Sequence, residues 1–138
     1  MAAKAKVTTL QTTRTRPMQL GRGYQHILVE GQDARNLDVH VNVIKVGSGP
    51  GPYHYHERCE NIYIVLTGTI EAIVDGKRFI LRTDDVALIP PGVPHSAGNV
   101  GDVEASVIEI YAPPRGADFH VIADPVHVED ALLSDREV

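Results

Sequence analysis

His54 and His56 stand one residue apart in the segment PYHYHERCEN, residues 52–61. On an extended strand, residues i and i+2 project from the same face, so the two imidazoles would lie side by side. Two neutral imidazoles at that spacing can chelate one transition ion. The pair alone is weak evidence, since a strand with a solvated face also carries polar side chains in alternation. A third histidine, His95, ends the segment PPGVPH, residues 90–95. Its prolines and glycine restrict the backbone, so His95 projects from a rigid turn, as a preorganised ligand should.

Other reactive side chains have plainer readings. Cys59 lies inside the histidine segment, but buried cysteine is a common small hydrophobe. Only Arg58 stands near it in sequence to lower a thiol pKa. His26, His40, His120 and His127 have no partner at ligand spacing and read as surface or hydrogen-bonded histidines. No Ser-His-Asp order and no zinc-ribbon cysteine pattern occurs. GSGPG, residues 47–51, has prolines around it and no helix pattern after it, which argues against a phosphate loop. No general base can be picked out.

The elements that must position the histidines read as short β runs separated by turn residues. YQHILVE (24–30) is followed by polar GQDARN. In LDVHVNVIKV (37–46), Leu37, Val39, Val41 and Val43 share one face, while Asp38, His40, Asn42 and Ile44 share the other. His40 and Asn42 could thereby line a pocket. IYIVL (62–66) is a β-branched, aromatic run with at least one buried face. IEAIVDGKRFIL (70–81) holds Asp75-Gly76 between two β runs, a tight-hairpin signal. VALIPPG (86–92) and VEASVIEIY (103–111) complete the series, and VEDALLSD (128–135) is expected to form a short helix. Short strands punctuated at this spacing predict an antiparallel sandwich or barrel. With 2 Phe and no Trp, its core must be mainly Val, Ile, Leu and Ala.

HYHERCENIYIVLTG (54–68) resembles the first cupin motif: two histidines, a spacer, a glutamate, and an apolar strand closed by Gly68. DDVALIPPGVPHSAGN (84–99) resembles the second, through Pro90, Gly92, His95 and Asn99, with Asp84 standing where that motif usually opens with glycine. The resemblance spans roughly residues 37–111. It implies a double-stranded β-helix, or jelly-roll, barrel over residues 18–115. Residues 1–17 would form a mobile N-terminal arm, and residues 116–138 an extension packing on the barrel. It also implies a divalent metal, Mn, Fe, Ni or Zn, held by His54, His56, Glu60 and His95. The family's usual spacing back from Gly68, however, lands on Asn61 rather than Glu60. The two differ in charge. Glu60 would give three histidines and a carboxylate, whereas Asn61 would be a neutral, weak donor and leave a three-histidine centre with water, closer to a Lewis-acid zinc site. The stronger ligand favours Glu60. A regular strand cannot turn both residues inward, and Tyr63 can reach the pocket only if Asn61 does.

The chain has 138 residues, 43% hydrophobic and 22% charged, which suits one globular domain able to bury a core without disulfides. A formal net charge of -5 makes nucleic acid an unexpected partner. No apolar run approaches a membrane span, no signal peptide is evident at the N-terminus, and the single cysteine suits a reducing compartment; the cytoplasm is the expected location. The expected partner is a small-molecule substrate or ligand. The resemblance to small cupins also implies a homodimer, with the arm adding a strand to a neighbour's sheet. The functional expectation is a small metalloenzyme acting on an oxygen-bearing organic substrate, dioxygenase-type oxidation being the first choice. The alternatives are Lewis-acid isomerase, cyclase or lyase chemistry, and a non-catalytic binding or sensor module.

Overall fold

The computed structural model describes residues 4–124 and 126–136. Among the described residues twelve strands run in chain order: β1 Thr15–Pro17, β2 Gly23–Val29, β3 Asp38–Ile44, β4 His54–Tyr55, β5 Glu60–Thr67, β6 Thr69–Val74, β7 Lys77–Arg82, β8 Val86–Ile89, β9 His95–Asn99, β10 Ala105–Ala112, β11 His120–Val121 and β12 Glu129–Asp130. They form two facing six-stranded sheets, ordered β1-β2-β3-β10-β5-β8 and β11-β4-β9-β6-β7-β12. All pairings are antiparallel except β12 with β7. This is the antiparallel barrel expected from the turn spacing, and the jelly roll that the cupin resemblance implies. Among the described residues no helix is long and apolar enough to cross a membrane.

The turns follow from local chemistry. Asp75 and Gly76 both take left-handed backbone angles (φ 50° and 78°), as a two-residue hairpin between right-twisted strands requires. Gly68 closes β5 at φ 81°, and a Cβ there would come within 2.8 Å of Ala105. Asp84 sits at φ 74°, so the position where glycine is usual does need a left-handed residue, and aspartate meets the need at some strain. Asn99 holds the loop after β9: its amide donates to the Ile44 and Val103 carbonyls, and its oxygen accepts from the Gly101 N–H.

The barrel interior is divided lengthwise. Ile44, Val65, Ile70, Ala72, Leu81, Ile89, Ala105 and Val107 form an apolar plug. Beyond it the inward positions turn polar. In the register of the first sheet Asn61 lies beside Tyr111 and Tyr111 beside Asp38; Tyr63 lies beside Glu109 and Glu109 beside His40. Asp38, His40, Asn42, Asn61 and Glu109 are all buried. Such a concentration of buried polar groups at one end of a barrel marks a site rather than a core.

Both terminal segments join the sheets. β1 pairs with β2 of its own chain, and β11 and β12 extend the second sheet. The helix expected over 128–135 is not formed. In its place stand β12 and a single 3-10 turn, Leu133–Asp135. The parallel pairing of β12 on β7 takes up backbone groups that a helix would have bonded internally.

Candidate metal centre

β4 pairs with β9 so that His54 lies directly opposite His95, and His56 follows at the end of β4. Each of the three can offer a ring nitrogen such that all lie within 4.8 Å of one another. In every case Nδ1 is committed to a backbone carbonyl: His54 to Pro52 at 2.7 Å, His56 to Asp118 at 2.6 Å, His95 to Val93 at 2.9 Å. Nδ1 must carry the proton to donate to a carbonyl, which leaves Nε2 as a bare lone pair. The Nε2 atoms of His56 and His95 are fully buried with no hydrogen-bond partner. Orphaned buried acceptors are costly, and two of them converging with a ring nitrogen of His54 are what a metal ion satisfies. This donor set therefore fits a divalent ion. Burial and the neighbouring His95 push the His54 pKa down to about 3, and burial lowers that of His95. Both stay neutral, as ligands must.

Asp118 supports this arrangement. Its carbonyl holds His56, and its carboxylate accepts the N–H groups of Glu57 and Arg58 (2.7 and 2.9 Å), with contacts to Cys59 and His120. Burial opposes its ionisation, but these donors hold its pKa below the usual carboxylate range. From the turn between β8 and β9, the Gly92 N–H donates to the His56 carbonyl at 2.7 Å, tying the two histidine segments together.

Of the two candidates for an oxygen ligand, Glu60 and Asn61, the structure buries only Asn61. Glu60 is exposed and takes no part in the histidine cluster. Asn61 is the fully buried residue; its amide donates to the Ile110 carbonyl at 2.9 Å, and its Oδ1 has no partner. Tyr63 and Val65 follow it inward. The reason is a bend at Glu57–Arg58, wrapped around the Asp118 carboxylate, which resets strand parity before β5 begins. The cluster of histidines thus contains no carboxylate among the described residues.

A cavity of about 340 Å³ opens beside His54. His40, Asn42 and Tyr63 are among the residues that line it. His40 Nε2–H donates to the Glu30 carboxylate (2.9 Å), and Asn42 bridges Gln25 and Glu109, both at 2.8 Å. Burial, then the charge of Glu109, raises the Tyr63 and Tyr111 pKa values well above normal. Cys59 is buried and free, its pKa pushed up to about 11 by burial and Asp118, which suits a structural thiol. Glu109, Tyr111, Arg115, Phe119 and Asp118 were missed in the sequence. Glu109 was findable, since it alternates in phase with Val107 and Tyr111; the loop residues carry no local signal.

The Cupin domain model matches residues 40–111. The chain belongs to the cupin family. This cupin is 34% identical over 79 residues to the polyketide synthase CurC of Streptomyces cyaneus (56% of this chain, 51% of that protein). It is 32% identical over 79 residues to quercetin 2,3-dioxygenase of Bacillus subtilis (55% of this chain, 23% of that protein). The chain thus spans about half the length, or less, of these curated relatives. Among solved structures, the polyketide cyclase RemF of Streptomyces resistomycificus superposes with a TM-score of 0.73 at 16% identity, covering 88% of each chain. The nucleoside dehydratase Pac13 superposes at 0.69 with 11% identity, over 91% of this chain and 95% of that one. At these identities the structural likeness shows the fold alone.

Proposed function

We propose that this cupin is a metal-dependent enzyme. His54, His56 and His95 would hold a divalent transition ion as a Lewis acid towards an oxygen-bearing small organic substrate, in cyclisation, dehydration or isomerisation. The observation that carries the reading is the neutral donor set: converging Nε2 atoms with Glu60 turned outward. When bound, the ion would polarise a carbonyl or acidify a water. The protein supplies the rest. Nδ1 bonds to Pro52, Asp118 and Val93 orient the rings. Glu109 places one carboxylate in the same cavity, where it can accept and return a proton, and the Tyr63 and Tyr111 phenols stay protonated as donors. Similarity to proteins named polyketide synthase and polyketide cyclase supports this chemistry. Similarity to quercetin 2,3-dioxygenase favours a second reading, dioxygenase-type oxidation at the same ion.

Elemental analysis of protein purified without a metal-affinity column tests the centre. About one Mn, Fe, Ni or Zn per chain is expected; metal that stays substoichiometric and cannot be restored rejects it. Turnover of diketones and hydroxyketones without oxygen supports the Lewis-acid reading. Oxygen uptake matching turnover supports oxidation, and binding without turnover supports a sensor. We also propose a cytoplasmic homodimer. The free Cys59 supports the compartment. The dimer rests on the outer face of the first sheet, where Ile62, Ile64, Leu66, Val86 and Leu88 are partly or largely exposed.

A further inference from the structure

The charge of the cavity is the reverse of the charge of the chain. The protein carries a net -5, yet the lining includes Arg16, Arg22 and Arg115 against a single acid, Glu109. Arg16 is paired with Glu30 at 3.1 Å. Among the described residues the other two form no ion pair. Among these residues Arg22 donates only to backbone carbonyls, of Gly49 at 3.3–3.4 Å and Ala97 at 2.7 Å. Arg115 has no side-chain hydrogen bond or ion pair among the described residues. Its guanidinium lies 5.0 Å from the Phe119 ring centre and 5.9 Å from that of Tyr111. Aromatic contact engages the faces of a guanidinium and leaves its in-plane N–H groups available to an oxyanion.

The loop that carries Arg115 is fixed for this purpose. The Arg115 N–H donates to the buried Asp38 carboxylate at 3.1 Å, and its carbonyl accepts from the Asp118 N–H at 2.9 Å. Phe119 packs against His54, ring centres 4.4 Å apart. A flexible surface arginine would have none of these anchors. An unpaired arginine held beside aromatic rings, next to the histidine cluster, is a preorganised receptor for a carboxylate on a planar carbon skeleton.

We propose that the substrate of this cavity is a planar organic carboxylate, gripped by Arg115 with Arg22 as a second cation. The proposal deepens the reading above and rests on the cavity beside His54 being the substrate site. It requires no metal for the binding step itself.

The test is calorimetric binding of benzoate, cinnamate and salicylate, each against its neutral amide, to the full chain as purified and after EDTA treatment. At least one carboxylate should bind tenfold or more tightly than its amide. Arg115→Gln should abolish that preference, Arg115→Lys should keep part of it, and the exposed Arg82→Gln should not alter it, all with unchanged circular dichroism. Equal binding of acids and amides, no binding of any carboxylate, or a preference that survives Arg115→Gln overturns the proposal. His95→Ala separates it from the metal reading. A preference retained in that variant and in EDTA-treated protein belongs to Arg115 even if the metal reading fails. A preference seen only with added zinc and indifferent to Arg115 leaves the metal standing and rejects the anchor.

Discussion

His54, His56 and His95 each spend the Nδ1 proton on a backbone carbonyl, which fixes tautomer and ring orientation together. The three rings are therefore oriented without any ion. His95→Ala is expected to lower metal affinity by at least about 100-fold, whereas Glu60→Gln should leave it within about twofold, because Glu60 faces solvent. Titration with a competing zinc chelator distinguishes them; a large loss in Glu60→Gln would reject the assignment. The same residues govern pH behaviour. His54 has a pKa of about 3 in the fold and an ordinary value of 6.5 when unfolded. Only the unfolded chain takes up a proton as pH drops through 6.5, so protonation favours unfolding. The metal-free protein should hold its full histidine contribution above about pH 6.5 and lose it progressively towards pH 3. Melts of EDTA-treated protein between pH 7.5 and 5 check this, with a falling Tm expected and a flat profile contradicting it.

At the scale of elements, the centre depends on the loop between β10 and β11 as much as on the strands that carry the histidines. Asp118 lies 62 residues from His56 in sequence, yet its carbonyl orients that ring and its carboxylate caps the bend after it. Asp118→Ala would leave the Glu57 and Arg58 N–H groups without their acceptor, at a cost of about 2–3 kcal/mol. It should also lower metal affinity about tenfold by loosening His56. Denaturant unfolding and metal competition measure the two effects separately. Unchanged metal affinity would show that the His56 contact survives without the carboxylate. β10 is the other decisive element. Its alternation buries Ala105, Val107, Glu109 and Tyr111, and its place between β3 and β5 puts Glu109 between His40 and Tyr63.

Over the whole molecule, the two sheets enclose an apolar plug and a polar chamber, and the first sheet also carries apolar residues on its outer face. Val86 and Leu88 are 61% and 59% exposed, and their neighbours in register, Ile64 and Ile62, lie on the same face. Burying such a face against a second copy removes apolar area from water. Light scattering should report a dimer at micromolar concentration, and Leu88→Lys should shift it towards monomer without lowering metal content. A wild-type monomer would rule the dimer out.

The histidine pair, the Asp75-Gly76 hairpin and the succession of short strands are local properties. Strand parity and turn chemistry need no distant partner, so the barrel and its three histidines could be read from the sequence. The cupin resemblance was legible for the same reason, since its motifs keep fixed local spacings. Glu60 against Asn61 could not be settled by counting forward from His56, because the bend at Glu57–Arg58 breaks the alternation, and that bend is held by Asp118. Counting back from Gly68 stays within β5, across a register irregularity at Leu66, and lands on the buried residue. The C-terminal segment reads as a helix by composition, but pairing with β7 overrides that local preference. The charge inside the cavity belongs to tertiary structure alone. Arg22, Glu109 and Arg115 come from separate parts of an acidic chain, and only closure of the barrel brings them to one chamber.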